Sequence, residues 1–196
     1  YQLDLEMSFV EQEDIFNVVE KLMIKLFKNF SKNKIINEKF PRIKYSDAML
    51  NYGTDKPDLR NPLIIKDVTE IFNREDVKFE IFKKLVNSGS HVRAIITKQT
   101  KDKPRSFFDN IDNWAKEQGS SGLAYFTFEK NKEFQGKGPI GKFFSSDAIK
   151  KIMKITSAEV GDTIFLSCGK TSEIEKLLSI ARDKIANDLN LIEKNK

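Results

Sequence analysis

The sequence predicts an α+β fold, a two-layer sandwich of a largely antiparallel sheet with helices on one face. Three observations lead there. Short apolar runs with strand character alternate with longer runs of helical spacing, the connections between them are short, and glycine or proline bounds most of them. Across the 196 residues no repeat or low-complexity run appears. The length suits one generous domain or a small one plus part of another.

Residues 1–10 come first. Leu3, Leu5, Met7 and Phe9 are apolar, while Gln2, Asp4, Glu6 and Ser8 fall between them. This is period-two alternation, so in a strand the four polar side chains leave one face together. An ordinary half-buried strand carries Lys, Thr or Ser on its wet face, and here an amide and two carboxylates stand there instead. The plain alternative is a solvated edge strand.

Residues 11–30 read as an amphipathic helix. Ile15, Val18, Val19, Leu22, Leu26 and Phe30 recur at three and four residues, and acids gather in its first turn, where the macrodipole favours them. Residues 32–39 are a polar break and Pro41 ends any helix. An extended piece over 42–45 leads to Ser46 as the N-cap of a helical turn over 47–52, closed by Gly53. Residues 52–62 (Tyr-Gly-Thr-Asp-Lys-Pro-Asp-Leu-Arg-Asn-Pro) hold glycine, two prolines and Asp/Asn, which on physical grounds make a rigid, irregular linker. A domain boundary is expected near residue 65.

Beyond it, 67–73 suit a short helix. Val77, Phe79 and Ile81 alternate as a strand, and 91–97 make another with Val92, Ala94 and Ile96 on one face. Ser106 is placed to cap a helix through 118, with Phe107, Ile111, Trp114 and Ala115 inward and Gly119 just past its end. Residues 123–129 are an aromatic strand. A helix starts at Ser145 or Ser146, a strand covers 162–167, and Ser172 with Glu175 has the capping-box spacing of a final helix. Ile174, Leu177, Leu178, Ala181, Ile185 and Leu189 form that helix's buried face.

Composition excludes several function classes. Hydrophobic residues at 39% and charged ones at 32% are neither disordered nor fibrous in type. The net charge of +5 suits a polyanion, but 29 acids interleave with 34 bases, which favours a solvated surface. One Cys and one His rule out an internal disulfide and a Cys/His zinc site. With no secretory pattern and no apolar run near the ~18 residues of a membrane span, a reducing cytoplasm is expected.

Other chemistry is weakly supported. Residues 136–142 match the Gly-x-x-x-x-Gly-Lys spacing of a phosphate loop, but Phe143 stands where Ser or Thr would hold magnesium, and Pro139 removes a backbone donor. A glycine-rich turn between sheet and helix is the better reading. His91 and Cys168 lack a third orienting group, and Cys168 reads as a small buried filler. Basic residues cluster at Lys98, Lys101, Lys103 and Arg105, and again at Lys130, Lys132, Lys137 and Lys142. Either could touch RNA phosphates, giving affinity rather than sequence readout. Phe107, Phe108 and Trp114 have helical spacing and belong to a core rather than to stacked bases.

Gln2-Leu3-Asp4-Leu5-Glu6-Met7-Ser8-Phe9 closely resembles the tail of the second signature motif of bacterial-type aspartyl-tRNA synthetases, where a strand crosses the active site. Tyr52-Gly53-Thr54-Asp55-Lys56-Pro57-Asp58-Leu59-Arg60 resembles the segment by which these enzymes leave their catalytic core for an inserted domain, with Thr54 in place of the usual Ser. The second half resembles that insertion, the GAD domain, which is shared with the B subunit of the glutamyl-tRNA amidotransferase. Its landmarks are 67–72, 92–95, 122–125, Gly138-Pro139-Ile140-Gly141-Lys142-Phe143 and 161–165. The family usually has Ala at the place of Gly141 and a Gly-Ala-Leu-Arg run where this chain reads Leu178-Ser179-Ile180-Ala181-Arg182.

The resemblance implies residues 1–65 as a partial class II catalytic-core segment with its connector and 66–196 as a GAD-type insertion. It implies a parent aspartate–tRNA ligase, a homodimer that uses ATP and Mg²⁺ to form an aspartyl-adenylate and pass aspartate to tRNA. Gln2 and Asp4 would face the aspartate or adenylate, and Glu6 would support the strand from behind. The arginines of the second and third motifs lie outside these residues, so the chain alone is expected to be inactive and to bind neither ATP nor aspartate. Two alternatives stand beside this reading: a non-catalytic RNA-binding or docking module, and a GAD-containing piece of the amidotransferase subunit.

Overall fold

In the computed structural model, which describes residues 2–35 and 37–192, the described residues divide into two compact units, one within 2–43 and one over 44–192.

In the first unit, helix α1 spans Gln12–Phe30 and realises the expected amphipathic run. The Asp14 carboxylate accepts from the Glu11 N–H (2.9 Å), which satisfies a free donor at the helix start. The chain then folds back along the polar side of α1. The Glu20 carboxylate accepts from the Phe40 N–H (2.6 Å) and from the Arg42 guanidinium (3.0 Å), and Lys28 pairs with Glu38 (2.6 Å). The backbone bond from Phe40 and the Arg42 charge hold the Glu20 carboxyl below its ordinary range. The apolar stripe stays exposed at Ile15, Val18, Val19, Leu26 and Phe30.

The strand expected over 1–10 does not form. Tyr1 lies outside the described residues, and residues 2–10 belong to no sheet and are almost wholly exposed. Alternation sets which side chains share a face, but a strand also needs a neighbour to take its backbone donors and acceptors, and no described residue of this unit supplies one.

The second unit begins with helix α2, Tyr45–Tyr52, whose N-cap is Lys44, so Ser46 lies inside the first turn rather than capping it. Five antiparallel strands follow: β1 (Ile65–Asp67), β2 (His91–Thr97), β3 (Ala124–Lys130), β4 (Phe134–Lys137) and β5 (Thr163–Gly169), in the order β1-β2-β5-β3-β4. The remaining helices are α3 (Glu80–Asn87), α4 (Arg105–Glu117), α5 (Ser146–Thr156) and α6 (Thr171–Asp188).

The α+β class and the antiparallel sheet stand as expected, but helices cover both faces rather than one. Val92, Ala94, Ile164, Leu166, Phe126 and Phe128 share one core with residues of α3 and α5. Ile95, Phe165 and Tyr125 share another with Phe108 and Ile111 of α4 and Leu178 and Ile185 of α6. The cause lies in β5, whose first six residues are all buried. A central strand apolar on both sides must be covered on both.

Local corrections follow the same logic. Val77 makes only a single bridge to Phe144, and α3 replaces the strand expected over 77–81. Phe79, Phe82 and Val86 are also spaced as a helix, and their packing against the first core decides between the two templates. The helix expected over 67–73 is a 3₁₀ turn at Thr69–Asn73. Pro104 rather than Ser106 precedes α4, and Lys170 precedes α6, where Glu175 pairs with Arg93 (2.9 Å) instead of closing a capping box. Ser145 does cap α5, its hydroxyl accepting from the Ala148 N–H (3.0 Å).

Candidate functional site

Gln2, Asp4 and Glu6 are exposed. The Gln2 amide donates to the Asp4 carboxylate (2.9 Å), so the alternation does bring these two to one side without a sheet. Among the described residues, no cluster of three His, Cys, Asp or Glu side chains could hold a metal ion.

The connector is a docked wall rather than a loose linker. Gly53 ends α2 in the left-handed region (φ 69°), and a Cβ there would run into the Glu175 carbonyl oxygen of α6. The Thr54 hydroxyl accepts from the Lys56 N–H (3.2 Å), a contact that Ser would also make. Beneath the connector lies Arg182, 1% exposed. Its guanidinium donates to the carbonyls of Leu63 (2.5 Å), Asn61 (2.7 Å) and Asp58 (2.8 Å) and stacks on the Tyr52 ring at 4.9 Å. Burial pulls the Arg182 pKa down from its ordinary value. The Asn61 amide answers with bonds to the Arg182 carbonyl (3.1 Å) and the Asp183 carboxylate (3.0 Å). The role of Arg182 is not evident from the sequence motif that contains it. The available signal was an arginine among Leu178, Ala181 and Ile185 on a buried helix face.

The suspected phosphate loop is a packing device. Its glycines Gly136 and Gly141 lie backbone to backbone, where a Cβ on Gly141 would strike the Gly136 carbonyl oxygen. His91 and Cys168 stand on adjacent strands in neighbouring pairs, His91 with Gly169 and Val92 with Cys168. Burial pushes the Cys168 thiol up to about 11, which makes it a poor nucleophile.

The four lysines Lys130, Lys132, Lys137 and Lys142 do not share one hollow. Lys130 and Lys132 border a hollow at the start of α5 with Lys150, Glu133 and Asp147. Lys142 lies over the Phe143 ring at 5.2 Å. Lys137 instead meets Lys101, Lys103 and Arg105 around a hollow of about 490 Å³ at one end of the sheet. The loop carrying these three is fixed by Asp162, fully buried. Its carboxylate accepts from the Gln99 N–H (2.9 Å), the Glu159 N–H (2.8 Å) and the Lys98 ammonium (2.9 Å). The role of Asp162 was not legible in sequence.

Residues 82–178 match the GAD domain. Over 195 residues, the whole of this chain, it is 68% identical to an aspartate–tRNA(Asp/Asn) ligase of Pelagibacter ubique (strain HTCC1062), covering 33% of that protein. Along its whole length the chain is thus similar to one part of that aspartate–tRNA ligase, and over residues 82–178 to the GAD domain. Ligases of the same name from Ehrlichia chaffeensis (strain ATCC CRL-10679 / Arkansas) and Gluconobacter oxydans (strain 621H) are 49% and 48% identical over the whole chain, each covered to 32%. The chain thus spans about a third of the length of these relatives. None of its described helices is long and apolar enough to cross a membrane.

Proposed function

We propose that this chain is part of a cytoplasmic, homodimeric class II aspartate–tRNA ligase that charges tRNA(Asp) and tRNA(Asn) through an aspartyl-adenylate. One observation carries the reading: similarity to ligases of that name runs through residues 1–65 as well as through the GAD domain. An amidotransferase subunit, which shares the GAD domain, would not explain the first sixty-five residues. In this reading residues 1–65 are catalytic-core segment and connector, and 66–196 are the inserted domain.

Gln2 and Asp4 face the aspartate or adenylate. Their amide–carboxylate pair presents both a donor and an anionic acceptor, which is what a substrate bearing a carboxylate and an ammonium requires. Glu6 steadies the strand that residues 2–10 form once neighbouring strands are present. ATP and Mg²⁺ supply the activated phosphoryl chemistry in the longer enzyme, and no residue described here is assigned to hold them. The exposed stripe of α1 packs against the rest of that enzyme.

The test is aspartate-dependent ATP–pyrophosphate exchange by the longer enzyme. D4N is expected to lower kcat/KM for aspartate at least 100-fold and Q2A about tenfold, a loss of roughly 1.4 kcal/mol in transition-state binding. Unchanged kinetics in both would overturn the assignment. In calorimetry the 196-residue chain is expected to bind neither ATP nor aspartate tighter than millimolar, and tighter binding would show that the chain holds a complete site.

A further inference from the structure

Two groups of cations far apart in sequence meet at one hollow. Lys101, Lys103 and Arg105 come from the β2–α4 loop and the start of α4, and Lys137 comes from β4. The loop is held rigidly. The Lys101 N–H donates to the Gly161 carbonyl (3.0 Å), the Lys103 N–H to the Thr100 carbonyl (3.1 Å), and the buried Thr97 and Thr100 hydroxyls bond each other (2.7 Å). Across the hollow, β3–β4 pairing fixes Lys137 opposite Thr127.

The charge balance is positive. Glu129 pairs with Lys137 (3.1 Å) and Asp109 with Arg105 (3.2 Å), and with the exposed Asp102 of the same loop counted as well, the four cations still exceed the three carboxylates by one. Among the described residues, Lys101 and Lys103 have no carboxylate within ion-pair distance, and both are exposed. The two aromatic rings in the wall, Phe108 and Tyr125, are 5% and 7% exposed and stack on each other at 4.9 Å, so no open ring face awaits a base. Exposed ammonium groups on long arms around an open hollow suit a chain of phosphates rather than one small anion, because each contact adds by releasing a counterion.

We propose that this hollow holds the sugar–phosphate backbone of RNA without reading its sequence. The choice of RNA among polyanions rests on the ligase reading given above, in which the longer protein handles tRNA. Binding is electrostatic: it is fixed by Lys101 and Lys103, extended by Arg105 and Lys137, and indifferent to base identity because the hollow offers no stacking platform.

The experiment uses the 196-residue chain with fluorescent 12-nucleotide RNAs of two unrelated sequences, titrated between 50 and 300 mM KCl. The expected result is equal affinity for both sequences within twofold. K101Q/K103Q should weaken binding at least tenfold at 50 mM and reduce the slope of log affinity against log salt by about 1.4, two contacts at ~0.7 each for single strands. The charge-matched control K151Q/K154Q, on exposed positions of α5 across the sheet, should change affinity less than twofold. The single variants K101Q and K103Q, each on an exposed side chain, cover the case in which the double variant fails to fold.

Equal losses in both double variants would mean diffuse attraction and would overturn the proposal. So would no binding at 50 mM KCl, or preference for a polyglutamate peptide over RNA. Aminoacylation by the longer protein is read separately. An active ligase whose isolated chain ignores RNA removes the hollow alone. A protein that lacks aspartylation while its chain binds RNA through Lys101 and Lys103 removes the ligase reading alone.

Discussion

Replacing Arg182 should release the connector from the body of the second unit. The guanidinium, 1% exposed, bonds three carbonyls, those of Leu63, Asn61 and Asp58. In R182M the aliphatic stem is retained and the charge no longer has to be buried, which offsets part of the loss. Leu63 and Asn61 are themselves buried, at 6% and 3%, so water cannot readily reach the acceptors left behind. Two stranded carbonyls at roughly 1–3 kcal/mol each put the net cost at about 4 kcal/mol. The Asp58 carbonyl, in a half-buried residue, can turn to solvent. A cost of this size corresponds to a fall in Tm of about 8–16 °C for a unit of this length.

R182K keeps the charge but loses the fork and the stacking on Tyr52, and about half the effect is expected. R60Q is the control. Arg60 pairs with Asp58 (2.7 Å) in the same connector but is exposed, so its loss should cost under about 0.5 kcal/mol. Urea unfolding of the 196-residue chain measures all three, and hydrogen exchange should show the amides of residues 58–64 losing protection in R182M. If R182M lies within 1 kcal/mol of the parent, a threshold well under the ~4 kcal/mol expected, or R60Q is equally damaging, the clamp does not hold the connector.

Two further outcomes follow from the same unit. G53A puts a Cβ against the Glu175 carbonyl oxygen at a left-handed position and should cost more than about 2 kcal/mol in urea unfolding, whereas G89A, also at positive φ but with open space around it, should cost about 1 kcal/mol. Alkaline stability should depend on Tyr125, whose hydroxyl donates to Asp109 (3.0 Å) and is pushed up to about 12, chiefly by burial and then by that bond. A folded-state pKa above the unfolded one means stability present below pH 10 and lost as pH rises from 10 through about 12. Cys168, pushed up to about 11 from 9 by burial, loses its share between those values. In a C168A background the remaining loss between pH 10 and 12 should vanish with Y125F, and its persistence would clear Tyr125 of the role.

Much of the second unit was legible because its signals were local. The alternation of 91–97 became β2, the stripe of 174–185 became the buried side of α6, and Ser145 capped α5. The misreadings occurred where the deciding contact was distant. Three apolar residues at 77, 79 and 81 fit a strand as well as a helix until the first core takes Phe82 and Val86. β4, with Gly136 in its short run, had no pattern of its own and exists by pairing with β3. The lysine clusters were each visible, but their regrouping, Lys137 with Lys101 and Lys103 rather than with Lys130 and Lys132, depends on strand order, which no local pattern encodes.

The two most distinctive stretches of the sequence differ in where their partners lie, and the difference separates structure from function. In the connector nearly every unusual letter is used inside the unit. Tyr52 stacks on Arg182, Gly53 permits contact with α6, the Thr54 hydroxyl holds a turn, and Asn61 and Arg182 bind each other's backbone. Stability alone accounts for that motif. In residues 2–8 the polar letters are exposed, and the bond from Gln2 to Asp4 is the one interaction recorded among them. Nothing in the packing of the described residues requires an amide, two carboxylates and a hydroxyl in that order. Substituting Gln2 or Asp4 should therefore leave the unfolding of the 196-residue chain within the ±0.5 kcal/mol typical of surface changes while lowering aspartate activation in the longer enzyme. A loss of chain stability on D4N would place Asp4 with the connector residues, as a structural letter rather than a substrate-facing one.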